Sequence, residues 1–422
     1  MNRVMRPCLW LQFDLSGVDL SVQSKSPKLH KSHFMKTKDV ATVLIVGCAP
    51  HLMLAASRVL SLAKLNFDCV SSRSTLKGHR FARNFHQCSR NALIGQALSA
   101  VKENSYKAVI LCDDRTINLV LDSDLQAEDK LVLLPVVSVE NFSHLSSKIG
   151  LSLIFEQHGI KSPIFSVVET RQQLSDAVLK MGFPLIIKGD RSGGGKQTVD
   201  ILNESDLNRL LANLDFFPAI LQRKIAGNLI GIEAFYPDSQ LISVSYSEVL
   251  ETTGNEFSPS VLRHYHQTGS IDPSVQRELE DIGRALGADG FANISCIRTE
   301  RNERYYFEAD MRPTAWVAHS SYFGDDLPSK IRNYLMDGTR PACLTTLDER
   351  YPATINLPLF IRMKPWEILI NRYSVWKYIY FDSAVARIYL RSLRGFLRNA
   401  LTLKSVRKHV RDILAPAAPG KA

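Results

Sequence analysis

The 422-residue sequence predicts a fold of the α/β and α+β classes: an α/β lobe on a parallel sheet, an α+β region, and a basic helical tail. Three observations predict it. Apolar strand-like runs alternate with helical patterns up to about residue 140, which implies parallel strands with helices on both faces. A lysine-bearing strand running into consecutive glycines, and later a carboxylate-bearing hairpin, follow a Gly/Pro stop near residue 160. From Ile361 onward there are thirteen Lys or Arg against three acids, whereas the other 360 residues carry 39 of each sign.

In order, ATVLIVGCAP (41–50) reads as a buried strand entering a turn, HLMLAASRVLSLAKL as a helix, and FDCVSS as a strand. AVILCDD (108–114) and LVLLPVV (131–137) read as further short strands. GCAP falls short of a dinucleotide fingerprint, so this lobe is expected to contribute to a substrate site. Residues 143–160 read as a helix that stops at GIKSP. IFSVVE is a strand, and TRQQLSDAVLKMG a helix with Thr170 as its N-cap. FPLIIKG is a strand continuing into RSGGGKQTV; DLNRLLANL is helical; AILQRKI, LIGIEAFY and QLISVSYSEVL are strands. A helix over 273–287 leads to the strand pair FANISCIR and YYFEADM.

Composition narrows the function classes. Hydrophobic content of 45% and charged content of 22% describe a folded protein. Seven scattered cysteines, without CxxC or Cys/His spacing, argue for a reducing compartment and against structural zinc. No apolar run reaches membrane-spanning length, and no secretory leader is read. Residues 1–39 read as a flexible extension, with Met35 as a second candidate start. The charge-balanced body gives no reason to expect nucleic-acid binding.

Two segments carry chemistry. In GFPLIIKGDRSGGGKQTV, Lys188 ends a strand beside Gly193, Gly194 and Gly195, which let a backbone approach phosphate oxygens closely. A permissive hairpin turn is the bland alternative. In RYYFEADMRPT, strand alternation puts Tyr306, Glu308, Asp310 and Arg312 on one face and Phe307, Ala309 and Met311 on the other. A symmetric hairpin around Arg301 and Asn302 sets Ser295 opposite Glu308 and Asn293 opposite Asp310, an oxygen-rich patch suited to Mg²⁺. An edge strand with an internal ion pair fits the same residues. His264 and His266 read as part of a solvated loop, and Arg263 as a candidate for a substrate carboxylate. Between Ala384 and Arg411, apolar and arginine positions fall on opposite sides of a helix, which fits a membrane-surface contact or packing on the body.

The order of these parts resembles the ATP-grasp superfamily over roughly residues 40–345: Lys148 before GIKSP, Lys188 with its glycine loop, AILQRKIAG, and Glu308-Ala-Asp310-Met-Arg312. The resemblance implies a Rossmann-like pre-ATP-grasp α/β lobe at 40–140 and a two-lobed ATP-grasp domain at 141–345, between the flexible extension read at 1–39 and the basic amphipathic helical tail read at 346–422. It implies that Lys148 and Lys188 meet ATP phosphates under the lid Gly193–Gly195, that Gln222 and the backbone at Ile225 face adenine, and that Glu308, Asp310 and Ser295 hold Mg²⁺ or Mn²⁺. Arg312 and Lys188 would be the catalytic cations. The implied activity is ATP-dependent joining of a small-molecule carboxylate to an amine or thiol through an acyl phosphate, in a cytoplasmic protein with peripheral membrane contact and homo-oligomerisation left open. A regulatory nucleotide-binding module and a bicarbonate-using carboxylase or carbamoyl-phosphate-type enzyme are the alternatives. Ser295, Asp310 and Leu229 depart from the family pattern, which usually has an acid or Gln, an Asn and an acid at those places.

Overall fold

The computed structural model describes residues 43–266, 272–319, 327–339 and 353–355. The extension at 1–39 and the arginine-rich segment at 384–411 lie outside them. The first strand, β1 (Val43–Gly47), is buried along its whole length. It pairs in parallel with β2 (Phe67–Ser71) and β4 (Ala108–Leu111), and β3 (Ala82–Gln87) adds an outer strand, in the order β3-β2-β1-β4. Helices α1 (Pro50–Leu62) and α2 (Leu93–Glu103) make the crossovers, and α3 (Asp114–Leu121) leaves β4. Strands covered on both faces read as continuous apolar runs, so β1, β2 and β4 were expected. The polar β3, ARNFHQ, was not.

Two expectations fail nearby. The apolar run at 131–137 is not a strand. It belongs to α4 (Ala127–Leu133), whose first turn holds Glu128 and Asp129, followed by a single bridge from Val136 to Ala288. Acids favour a helix amino terminus, and Pro135 ends the helix rather than continuing a ladder. The helix read over 143–160 divides into a 3₁₀ turn at Val139–His144 and α5 (Lys148–Gln157). Ser146 adopts φ +56° between them, and the Ser147 hydroxyl then caps α5 by accepting from Gly150 N at 2.9 Å.

The second sheet contains β5 (Phe165–Val168), β6 (Leu185–Gly189), β7 (Thr198–Ile201) and β8 (Ala219–Arg223), all antiparallel, in the order β5-β8-β6-β7. Helices α6 (Arg171–Met181) and α7 (Glu204–Asn213) bury Leu174, Val178 and Leu210 against Leu185, Ile187 and Leu221. Thr170 caps α6 as expected, accepting from Gln173 N at 3.2 Å.

The third and largest sheet contains β9 (Asn228–Tyr236), β10 (Ser243–Thr252), β11 (Ser260–Tyr265), β12 (Gly290–Arg298), β13 (Arg304–Asp310) and β14 (Ala353–Ile355), in the order β13-β12-β9-β10-β11-β14. On its back lies α8 (Pro273–Leu286), capped by Asp272 and closed by a left-handed Gly287. A Cβ at Gly283 would stand 2.5 Å from the Tyr236 ring, so α8 sits closer to the sheet than any larger residue allows. Helix α9 (Leu327–Asp337) packs beside α1, and Leu327, Ile331 and Leu335 share one core with β1 and with Phe235 and Phe291. The parallel sheet and the large sheet are therefore joined through buried side chains.

Candidate active site

The hairpin of β12 and β13 has the expected register across its carboxylates. Asn293 faces Asp310, and Ser295 faces Glu308. A register shift after Ser295 then corrects the expected face pattern: Cys296 pairs with Tyr306, leaving Phe307 as the extra residue. Tyr306 turns into the core with Ala309 and Met311, and its hydroxyl donates to Glu278 Oε2 at 2.7 Å. Phe307 lies beneath Lys188, whose Nζ is 4.3 Å from the ring centroid.

Strands β9 and β10 continue the same polar face. Asn293 is opposite Glu233, Ser295 opposite Gly231, and Ser245 opposite Glu233 on the far side. Arg263 donates to Glu233 Oε1 at 3.0 Å and to Ser260 Oγ at 3.0 Å, and stacks 4.8 Å from the Trp316 ring centroid. A Cβ at Gly231 would meet its guanidinium at 2.6 Å. Both members of this pair are less than a tenth exposed, so Arg263 is already committed. His264, its neighbour on β11, faces the other way, as does His266, whose ring makes a T-shaped contact with Tyr246. The solvated-loop reading is thus corrected: His264 lies within β11 and His266 directly after it, both half-buried on the side opposite the carboxylates.

Lys188 enters from β6 and is nearly buried. Burial brings its ammonium down to about 8, with Glu308 opposing and Lys148 reinforcing that shift. Lys148, the first residue of α5, donates to the carbonyls of Asp190, at 3.1 Å, and Ser192. Asp190 fixes this corner: its carboxylate accepts from Ser147 Oγ and from Ile149 N, each at 2.9 Å. The glycine loop follows at once. Gly194 and Gly195 take φ +64° and +72°, and a Cβ at Gly195 would lie 2.3 Å from the Phe257 carbonyl oxygen. Gly193 meets nothing within 4 Å.

Glu308 and Asp310 reach the same place from β13. Burial raises the Asp310 carboxyl against the pull of Arg312, and Lys148 and Glu308 both act on it. Two lysines, one from β6 and one from α5, thus lie within electrostatic reach of two carboxylates from the large sheet. Gln222 is buried on β8, with its amide 3.4 Å from Ser152 Oγ, and Ile225 is half-buried in the link from β8 to β9. Ser295 is buried beside Glu308.

Arg312 is held most firmly. It donates from Nε and Nη2 to both oxygens of Asp114, at 2.6 and 2.7 Å, and from Nη2 to Asp310 Oδ2 at 2.8 Å. Asp114 and Asp190 were not singled out from sequence. The only signal for Asp114 was an acid just beyond the carboxyl end of a parallel strand, where α/β sheets present ligand-binding loops, and for Asp190 an acid directly after the Lys188 strand.

No family model matches the chain. A D-alanine–D-alanine ligase from Bordetella petrii is 25% identical over 213 residues, covering 47% of this chain and 64% of that one, just under two thirds. N5-carboxyaminoimidazole synthetase from Staphylococcus aureus, solved with ADP, superposes with a TM-score of 0.59 at 13% identity over 79% of this chain and 87% of its own. L-amino acid ligase from Bacillus licheniformis gives a TM-score of 0.52 at 16% identity over 70% and 74%. The solved structures share this chain's fold, and the order of its motifs resembles that of the ATP-grasp superfamily, to which the ligase is also similar.

Proposed function

We propose that the protein is an ATP-dependent, ADP-forming ligase that joins a carboxylate to an amine through an acyl phosphate. One observation carries the reading: the lysines of α5 and β6 lie within electrostatic reach of the carboxylates of β13, cations for a triphosphate near oxygens for its divalent ion. The donor set fits Mg²⁺ or Mn²⁺. Glu308 and Asp310 supply charged oxygens, Ser295 a hydroxyl, and the buried Asn293 Oδ1 has no partner. Among the described residues no group of three His, Cys, Asp or Glu gathers about one point, so nucleotide phosphates and water would complete the shell.

Each residue then has a physical task. Attack of one anion on another requires cations round the transferred group. Lys188 and Lys148 supply two of them, and Arg312 a third. The glycine loop aims backbone N–H groups at the phosphates and excludes water. A bound divalent ion would neutralise charge between the terminal phosphates. Gln222 near the end of β8 and the Ile225 backbone in the link that follows would face the adenine.

Release of phosphate and ADP from ATP, with pooled carboxylates and amines, tests the reading. Lys188→Ala and Glu308→Ala should each lower turnover at least a hundredfold. Equal release by wild type and both variants would sink it. Leu229, half-buried opposite Ile297 where relatives place an acid, favours a second reading, a nucleotide-binding module without turnover. Tight binding of Mg–ADP with no phosphate release under any substrate pool would select that one.

A further inference from the structure

The paired acids after β4 divide their labour. Asp113 points inward: Oδ2 accepts from Cys48 N at 2.7 Å and Ala49 N at 2.9 Å, and Oδ1 caps α3 by accepting from Thr116 N at 2.9 Å. It therefore ties the β1–α1 turn to the β4–α3 turn and satisfies donors that would otherwise be stranded. Asp114, with its neighbour doing the capping, turns outward. Both of its carboxylate oxygens meet Arg312 in a two-pronged fork across 198 residues of sequence.

From this geometry we infer that Asp114 is a positioning residue for the reaction proposed above: the parallel-sheet lobe supplies the acid that aims Arg312 over the Glu308–Asp310 pair. The argument has three parts. A fork of two parallel charge-assisted bonds fixes the plane of a guanidinium, which one contact to Asp310 alone would leave free to swing. Its contribution to stability is modest, because the Asp114 side chain is 42% exposed and solvent screens the pair. What the fork determines is where the cation sits, and displacement of a reacting group by about 1 Å costs rate on the order of a hundredfold. The parallel sheet and β12 share one core with α1, so the anchor behind Asp114 is rigid. The site would thus be complete only with an acid from the first lobe in place.

The inference rests on the ligase reading, and one experiment separates them. Wild type, Asp114→Asn, Asp114→Glu and Asp113→Ala are compared for kcat, KM for ATP, Mg–ADP affinity and melting temperature. Asp114→Asn keeps the shape and removes the charge. It should lower kcat by roughly ten- to a hundredfold while KM for ATP, Mg–ADP affinity and melting temperature stay near wild type. Asp114→Glu should recover part of the loss. Asp113→Ala should instead lower the melting temperature. Normal kcat in Asp114→Asn with an active wild type overturns this inference alone, as does a fall in kcat matched by lost nucleotide affinity or stability. A wild-type protein that releases no phosphate overturns the ligase reading, and with it any catalytic use of Asp114.

Discussion

Burial brings the Lys188 ammonium down to about 8 from the ordinary 10.5, so its charge is lost within an accessible range of pH. The folded protein gives up that proton before the unfolded chain does. Between about 8 and 10.5 this lysine therefore makes folding more favourable as pH rises, and its full cost is felt below about 8. Ligand binding has the opposite sign. An anion needs the protonated amine, so affinity for a fluorescent ADP analogue should fall from pH 7 to pH 9, and Lys188→Ala should weaken binding and flatten the slope. A variant with the same slope as wild type would assign the effect elsewhere. The lysines, the glycines and the two carboxylates were legible because each lies in a short stretch whose chemistry is local. Asp114 and Asp190 were not. Their roles depend on partners 198 and about forty residues away, and no spacing rule reports such pairs.

The glycine loop makes a graded prediction at the scale of one element. A side chain at position 195 meets the Phe257 carbonyl and an unfavourable φ together, at 194 only the φ, and at 193 neither. Nucleotide affinity should fall in the order Gly193→Ala, Gly194→Ala, Gly195→Ala, with the first near wild type; equal losses at 193 and 195 in equilibrium titration would refute the docking on Phe257. The β13–α8 join offers a second. Arg304 is 5% exposed and grips both oxygens of Glu278 at 2.7 Å, while Tyr306 donates to the same acid. Arg304→Met should cost about 2–3 kcal/mol in urea unfolding, because Glu278 loses its fork while keeping some access to water. The elements themselves were readable where the pattern was strong, as in β6, β12 and β13. Polar ARNFHQ carries no apolar alternation, since β3 is an outer strand exposed along most of its length. The run at 131–137 shows the opposite failure: four apolar residues in a row fit a strand or a buried helix end, and only the acids upstream and Pro135 decide.

At the largest scale, the cores of the described residues divide unevenly. The parallel sheet, α5, α8, α9 and the large sheet are stitched together by shared buried side chains, whereas α6, α7 and the second sheet have a separate core. The small lobe should accordingly open at lower free energy than the rest. Hydrogen exchange should show amides of β6 and β7 exchanging faster than those of β9 and β12, with Mg–ADP slowing them selectively; uniform protection would contradict a separable lobe. Saturating the site at a hundred times its dissociation constant adds about 2.7 kcal/mol, a shift that Lys188→Ala should abolish. Lys148 adds one more tie to this architecture. Its amine donates to the peptide oxygens of Asp190 and Ser192, at the root of the glycine loop. One side chain thereby ties the start of α5 to the first turn after β6, so any ligand that drew the amine away would also loosen the anchor of the loop beyond it.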